Sequence, residues 1–215
     1  MDLSAISDEI HRRLDERSAA REKALPAARR SIRASANAIR AIHRGELHEA
    51  HRRMEESRAA LTEGRRAVEG THPEVHYAGF LQDAEKEYAE ALLTEALVTG
   101  GELPDADAAG VGLAPYLNGM AESIGEGRRA ILDLLRRGDV DESERILSAM
   151  EDMYYVLVSM DYPDAMTGNL RRSTDVARSI IEKTRGDLSA SLVQRDLREA
   201  LERHARRLGG SADQA

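Results

Sequence analysis

Cysteine is absent from this 215-residue chain, so disulfides and thiolate metal sites are excluded. Tryptophan is absent too, and Phe80 is the single phenylalanine. The core must therefore be built from Leu, Ile, Val, Ala and Met. The scarcity of aromatics also argues against the stacking platforms of sheet-based single-strand binders. No run approaches the roughly 18 apolar residues of a membrane span. The start, Met1-Asp2-Leu3-Ser4, leads into charged residues without an apolar signal core, so a cytoplasmic location is expected. Gly110-Val111-Gly112 lacks the lysine and strand context of a phosphate-binding loop. The Glu-x-x-His repeats of di-iron bundles are missing as well.

What is abundant is Ala, Arg, Glu and Leu, the composition of a helical protein. The formal net charge is −8, but it is unevenly spread. Residues 12–66 hold 15 Lys+Arg against 8 Asp+Glu, a net +7. Residues 70–170 hold 6 against 20, a net −14. A basic N-terminal third beside an acidic middle suggests one surface for a polyanion and another for a cation. Only Lys23, Lys86 and Lys183 are lysines. The arginine bias suits bidentate phosphate contact. A GC-rich genome produces the same bias, and an acidic surface is also the mark of salt adaptation.

Helical periodicity and frequent punctuation predict about seven helices and no strands, an all-α bundle. A charge-rich helix is expected from Ser4 to Lys23, with Pro26 kinking it or starting the next, Ala27–His43. Further helices are expected over Leu47–Val68, Pro73–Val98, Ala114–Arg136, Asp141–Met160, Gly168–Thr184 and Leu188–Leu208, with Gly186 between the last two. The run Met153-Tyr154-Tyr155-Val156-Leu157-Val158 reads as buried on most sides. One domain is expected over residues 1–208, followed by a disordered tail at 209–215.

Four carboxylates stand out on two of these helices. Glu87 and Glu90 are spaced i,i+3, and Glu122 and Glu126 i,i+4, so each pair lines one helix face. Buried acids that converge repel one another unless a cation neutralises them. A hard divalent ion such as Mg²⁺ favours oxygen ligands, and such a site suits metal-assisted phosphodiester cleavage. The alternative is solvated surface, which most helical glutamates are. Small residues at Ala121 and Gly125 would permit close helix approach. His48, His51 and Glu55 form a weaker i,i+3,i+7 set, more in keeping with surface than with a transition-metal site.

The segments Glu87-Tyr88-Ala89-Glu90-Ala91 and Tyr116-Leu117-Asn118-Gly119-Met120-Ala121-Glu122-Ser123-Ile124-Gly125-Glu126 resemble the two acidic motifs of the translin family. More specifically, they resemble its catalytic branch, the translin-associated-protein-X type, in an archaeal-type member. Gly138-Asp139-Val140-Asp141 and the stretch from Thr167 to Gly186 resemble its later features, and the likeness covers most of residues 25–187. It implies an all-α fold of about seven helices, assembly into octamers, and Mg²⁺-dependent endonucleolytic cleavage of single-stranded RNA, with Mn²⁺ as a substitute ion. It further implies that Glu87, Glu90, Glu122 and Glu126 are the catalytic and metal-binding residues. Glu122 stands where the catalytic branch has aspartate, which keeps the charge and adds a methylene.

The same resemblance falls on a basic helix implicated in nucleic-acid binding. It marks Arg29, Arg30, Arg33, Arg40 and Arg44 as candidates for phosphate contact, against the reading of a solvated face. Single-stranded DNA is a second partner to consider. A non-catalytic single-strand-binding oligomer, or a helical scaffold, would retain the same fold with structural acids.

Overall fold

A computed structural model describes residues 3–69 and 73–212. The long helices are α1 (Ser4–His43), α2 (Leu47–Arg66), α4 (Phe80–Thr99), α6 (Leu113–Arg137), α7 (Val140–Ser159) and α9 (Leu170–Ala212). Single-turn helices α3 (Pro73–His76), α5 (Ala106–Ala109) and α8 (Asp164–Thr167) lie in the connections. No strand occurs among the described residues, so the all-α expectation holds.

Small residues set how closely α1 and α2 approach. Ala24, Ala28, Ala38 and Ala41 of α1 are buried with Ala50, Met54 and Leu61 of α2. Buried hydroxyls close the same seam: Ser57 bonds the hydroxyls of Ser31 and Ser35, each at 2.8 Å. This cluster continues onto the first half of α4 through Leu81, Ala84, Tyr88 and Ala91. A second cluster joins Leu93 and Leu97 of α4 to Ile124 and Ile131 of α6, Met150 and Leu157 of α7, and Ala177, Ile181 and Leu188 of α9. Helix α4 therefore belongs to both cores and is buried around most of its circumference, as an apolar helix in a bundle interior should be. A buried polar side chain on it is costly unless something pairs with it.

The helix boundaries depart from the sequence reading at three points. Pro26 lies inside α1, which runs through it. A proline costs one ladder bond there, and Ala24, Ala27 and Ala28 on either side are buried in the core, which holds the helix continuous. The expected helix from Pro73 is divided at Gly79, whose φ of 97° is open to glycine but strained for other residues. Gly186 breaks nothing, and α9 runs on through it. Of the expected tail, residues 213–215 lie outside the described residues.

The run at 153–158 is not buried on most sides. Met153 and Leu157 are in the core, but Tyr155, Val156 and Val158 are exposed. A helix flanked on one side only can bury one stripe, and the spacing 153, 157 is that stripe.

Gly186 gives a direct test of helix continuity. A Cβ there meets no atom within 4 Å, so Gly186→Ala gains helix propensity without a clash. It should stabilise the protein by about 0.5–1 kcal/mol, raising the melting temperature by about 1–4 °C. A lowered melting temperature would mean that the chain turns at this point.

Candidate metal centre

The two acid-bearing helices meet at a glycine. A Cβ added to Gly119 of α6 would lie 2.8 Å from the Lys86 carbonyl oxygen and 3.0 Å from both Ala89 Cβ and the Glu90 amide nitrogen. Hydrogen in place of a side chain thus lets the α6 backbone rest on α4. Glu122, one turn further along α6, then faces Glu87 and Glu90. Oxygen atoms of Glu87, Glu90 and Glu122 all lie within 4.8 Å of one another. Among the described residues this is the only such group of three or more ligating side chains.

The three carboxylates differ in environment. Glu90 is 9% exposed, and no hydrogen bond or ion pair reaches its carboxylate among the described residues. Burial, followed by the charges of Glu87, Glu122 and Glu126, pushes its pKa up to about 8. Glu87 and Glu122 are more open and share a counter-ion on α4. Lys86 Nζ lies 2.7 and 2.5 Å from the Glu122 oxygens and 3.2 Å from Glu87. Desolvation works against the Lys86 ammonium, but these carboxylates more than offset it, and its pKa lies above the ordinary lysine value.

Glu126 is not part of the group of three. It accepts a 2.5 Å contact from His43 Nε2, at the end of α1. That bond lowers the Glu126 pKa against the effect of its burial, with help from the His43 and Arg129 charges. Sequence reasoning missed His43, whose side chain is 5% exposed, because its partner is 83 residues away. It also missed Glu85. That buried acid bonds Arg65 at 2.7 Å and accepts from the Gly112 amide at 3.0 Å, tying the start of α6 to α4. The His48, His51 and Glu55 set does not assemble. His51 pairs with Glu95 of α4, and Glu55 with Arg58.

Three hard oxygen donors, one of them a buried acid lacking any partner, fit a hard divalent cation. Octahedral Mg²⁺ with ligands at about 2.1 Å spans at most about 4.2 Å between opposite oxygens. Closing a 4.8 Å group around it therefore needs only small side-chain adjustments.

The five candidate arginines on α1 and at its C-cap are less uniform. Arg30 pairs with Glu63, Arg44 with Glu46 at 2.6 Å, and Arg40 donates to Asn37 at 2.9 Å. Arg29 and Arg33 are exposed, and neither makes an ion pair among the described residues.

No family model matches the chain. It is 31% identical over 189 residues to the uncharacterized protein MJ0175 of Methanocaldococcus jannaschii, an alignment spanning 85% of this chain and 81% of that protein. A crystal structure of AfC3PO superposes with a TM-score of 0.78 at 33% identity, covering 87% of this chain and 97% of the other. AfC3PO in complex with duplex RNA matches at 0.75 and 32%, with the same coverage. Apo-NeC3PO has the same fold at a TM-score of 0.75 and 19% identity, over 89% of this chain and 98% of its own. None of the helices in the described residues is long and apolar enough to cross a membrane.

Proposed function

Since this chain belongs to the translin family, we propose that it is a Mg²⁺-dependent endoribonuclease of single-stranded RNA that works as a homo-oligomer, an octamer by the family pattern. The carrying observation is the convergence of Glu87, Glu90 and Glu122 around a buried acid with no protein partner. Nucleic acid as the partner class is supported by the RNA complex of AfC3PO. Self-association is supported by apolar stripes at both ends of the chain. Leu3 just before α1, Ile6, Ile10 and Leu14 on its first turns, and Val193, Leu197 and Leu201 on α9, are all exposed. The cytoplasm is the expected compartment.

Glu87, Glu90 and Glu122 would hold the cation, with Mn²⁺ able to substitute. Bound Mg²⁺ supplies a Lewis acid that polarises a phosphoryl oxygen and activates water for in-line attack. Glu90, whose carboxyl burial and the neighbouring acids push up to about 8, would have to give up its proton to serve as a ligand. Glu126, held ionised by His43, adds negative charge at the edge of the site. It is the fourth acid of the family pattern, as a further ligand or as the proton acceptor. Lys86 neutralises Glu87 and Glu122 and would have to move aside for those carboxylates to hold a divalent ion.

One observation favours a second reading, a non-catalytic single-strand-binding oligomer. The Lys86 ammonium already occupies the mouth of the carboxylate group. The two readings separate in one experiment: labelled single-stranded and duplex RNA incubated with wild type and with Glu87→Gln/Glu90→Gln, in Mg²⁺ and in EDTA. Cleavage of the single strand by wild type in Mg²⁺ alone, lost in the variant, carries the nuclease. RNA retained uncut by wild type under all conditions carries the binder.

A further inference from the structure

Beside the carboxylates, α9 presents cations that no acid neutralises. Arg172 shares a cleft of about 370 Å³ with Glu90 and Glu122, between α6 and α9. A second cleft of about 510 Å³ follows along the same two helices and ends at Lys183. Arg172, Val176 and Ile180 line both, so the two are one groove. Arg172 and Lys183 are exposed, and neither makes an ion pair or side-chain hydrogen bond among the described residues. The neighbouring charges do have partners. Arg128 bonds Thr184 at 3.0 Å and Asp187 at 2.7 Å, and Asp175 faces Arg178 at 3.8 Å. Val176, 53% exposed, supplies an aliphatic floor.

We propose that this α6–α9 groove is the track along which the backbone of a single RNA strand reaches the carboxylate site, with Arg172 and Lys183 as its phosphate contacts. The inference rests on the nuclease reading of the acids and adds a binding surface separate from the α1 arginines. Arg172 and Lys183 are eleven residues apart on one helix, about 16 Å along its axis, a span of several nucleotides. A free guanidinium beside a cluster of carboxylates would ordinarily pair with them, as Lys86 does. Arg172 instead lies at the wall of the cleft with its donors available to a phosphate that approaches Glu90 and Glu122. Guanidinium donors match phosphate oxygens two at a time. The aliphatic floor suits ribose and base surfaces without reading sequence. Charge and continuity with the acid site therefore select a polyanionic strand over an apolar peptide.

The test is binding of a labelled, unstructured single-stranded RNA to the full-length protein in EDTA, where no cleavage occurs, across a salt series. Arg172→Gln/Lys183→Gln should lose about tenfold in affinity and lower the slope of log K against log salt by about 1.4, the value for two lost phosphate contacts on a single strand. Arg29→Gln/Arg33→Gln serves as the parallel variant on α1. Unchanged affinity and slope in the α9 variant, with a loss in the α1 variant, overturn the track and place the strand on α1. Stronger capture of polyglutamate than of RNA by wild type also overturns it, in favour of an acidic protein partner. The nuclease reading fails separately: cleavage that survives Glu87→Gln/Glu90→Gln sinks that reading, while RNA binding still reports on the groove. Both α9 side chains are exposed, so an unchanged melting temperature is expected and a folding defect is not at issue.

Discussion

Glu90→Gln should abolish RNA cleavage, by at least about 100-fold, and should also make the metal-free protein more stable at alkaline pH. Losing a group that only hydrogen-bonds a metal ligand already costs about 10–100-fold, and Glu90 is the most buried of the three carboxylates. The stability effect has the opposite sign and follows from linkage. The folded-state pKa of Glu90 is about 8, against a reference of 4.5. Between those values the folded protein holds a proton that the unfolded chain has released. Stability therefore falls as pH rises through this window, and the full cost is present above the folded pKa. Glutamine is neutral at every pH and removes the slope. Urea denaturation in EDTA at pH 5 and pH 9 measures it, and the advantage of the variant over wild type should appear at the higher pH. Mg²⁺ should reverse the order, because a ligand that binds only the folded state stabilises it and the variant has lost a donor. At subsaturating Mg²⁺, cleavage by wild type should rise about tenfold per pH unit below 8, where cation and proton compete for Glu90, and level off above it. Cleavage at wild-type rate by Glu90→Gln would remove Glu90 from the site. A stability difference flat in pH would mean that the group is not a buried, protonated acid.

Local pattern placed each acid pair on one helix face. Glu87 and Glu90 share a face because of their i,i+3 spacing, and Glu122 lies on a helix whose extent the glycines at 112 and 138 nearly define. Convergence is a tertiary fact, and spacing cannot supply it. Glu126 has the right spacing from Glu122 yet turns to His43, an interaction between chain segments 83 residues apart. Lys86 was legible as one residue of a charged run, but not as the counter-ion of Glu122 on another helix. Pro26 and Gly186 read as breaks because their intrinsic cost is high. Both are absorbed, the first by buried alanines around it and the second by a helix that leaves its Cβ position empty. The apolar run at 153–158 shows the converse limit: six apolar residues in a row say nothing about which face is covered until the neighbouring helices are known.

The α6 backbone comes closest to the α4 backbone at Gly119, and Gly119→Ala tests that contact. The sequence suggested Ala121 and Gly125 as the small residues that allow close approach. Gly125 faces α9 instead, and a Cβ there would lie 3.8 Å from Ile180 Cδ1, an ordinary contact. At Gly119 the added carbon meets two backbone atoms and Ala89 Cβ at 2.8–3.0 Å. No rotamer change can relieve a clash with backbone, so the helices must separate. Overpacking of this kind costs about 1–3 kcal/mol. The chemical cost should be larger than the structural one. Glu122 is carried by α6, whereas Glu87 and Glu90 are carried by α4, so any separation opens the carboxylate group itself. A displacement of about 1 Å is enough to lose about 100-fold in rate. Gly119→Ala should therefore fold, melt a few degrees lower, require more Mg²⁺ for half-maximal stabilisation, and cleave about 100-fold more slowly. Gly125→Ala, gaining helix propensity with only an ordinary contact to Ile180, should cleave as wild type does and melt no lower. Equal cleavage by the two variants would show that the Gly119 contact does not govern the spacing of the acids. A defect confined to Gly119→Ala, present in Mg²⁺ affinity as well as in rate, would place the origin of the site in the absence of a single methyl group.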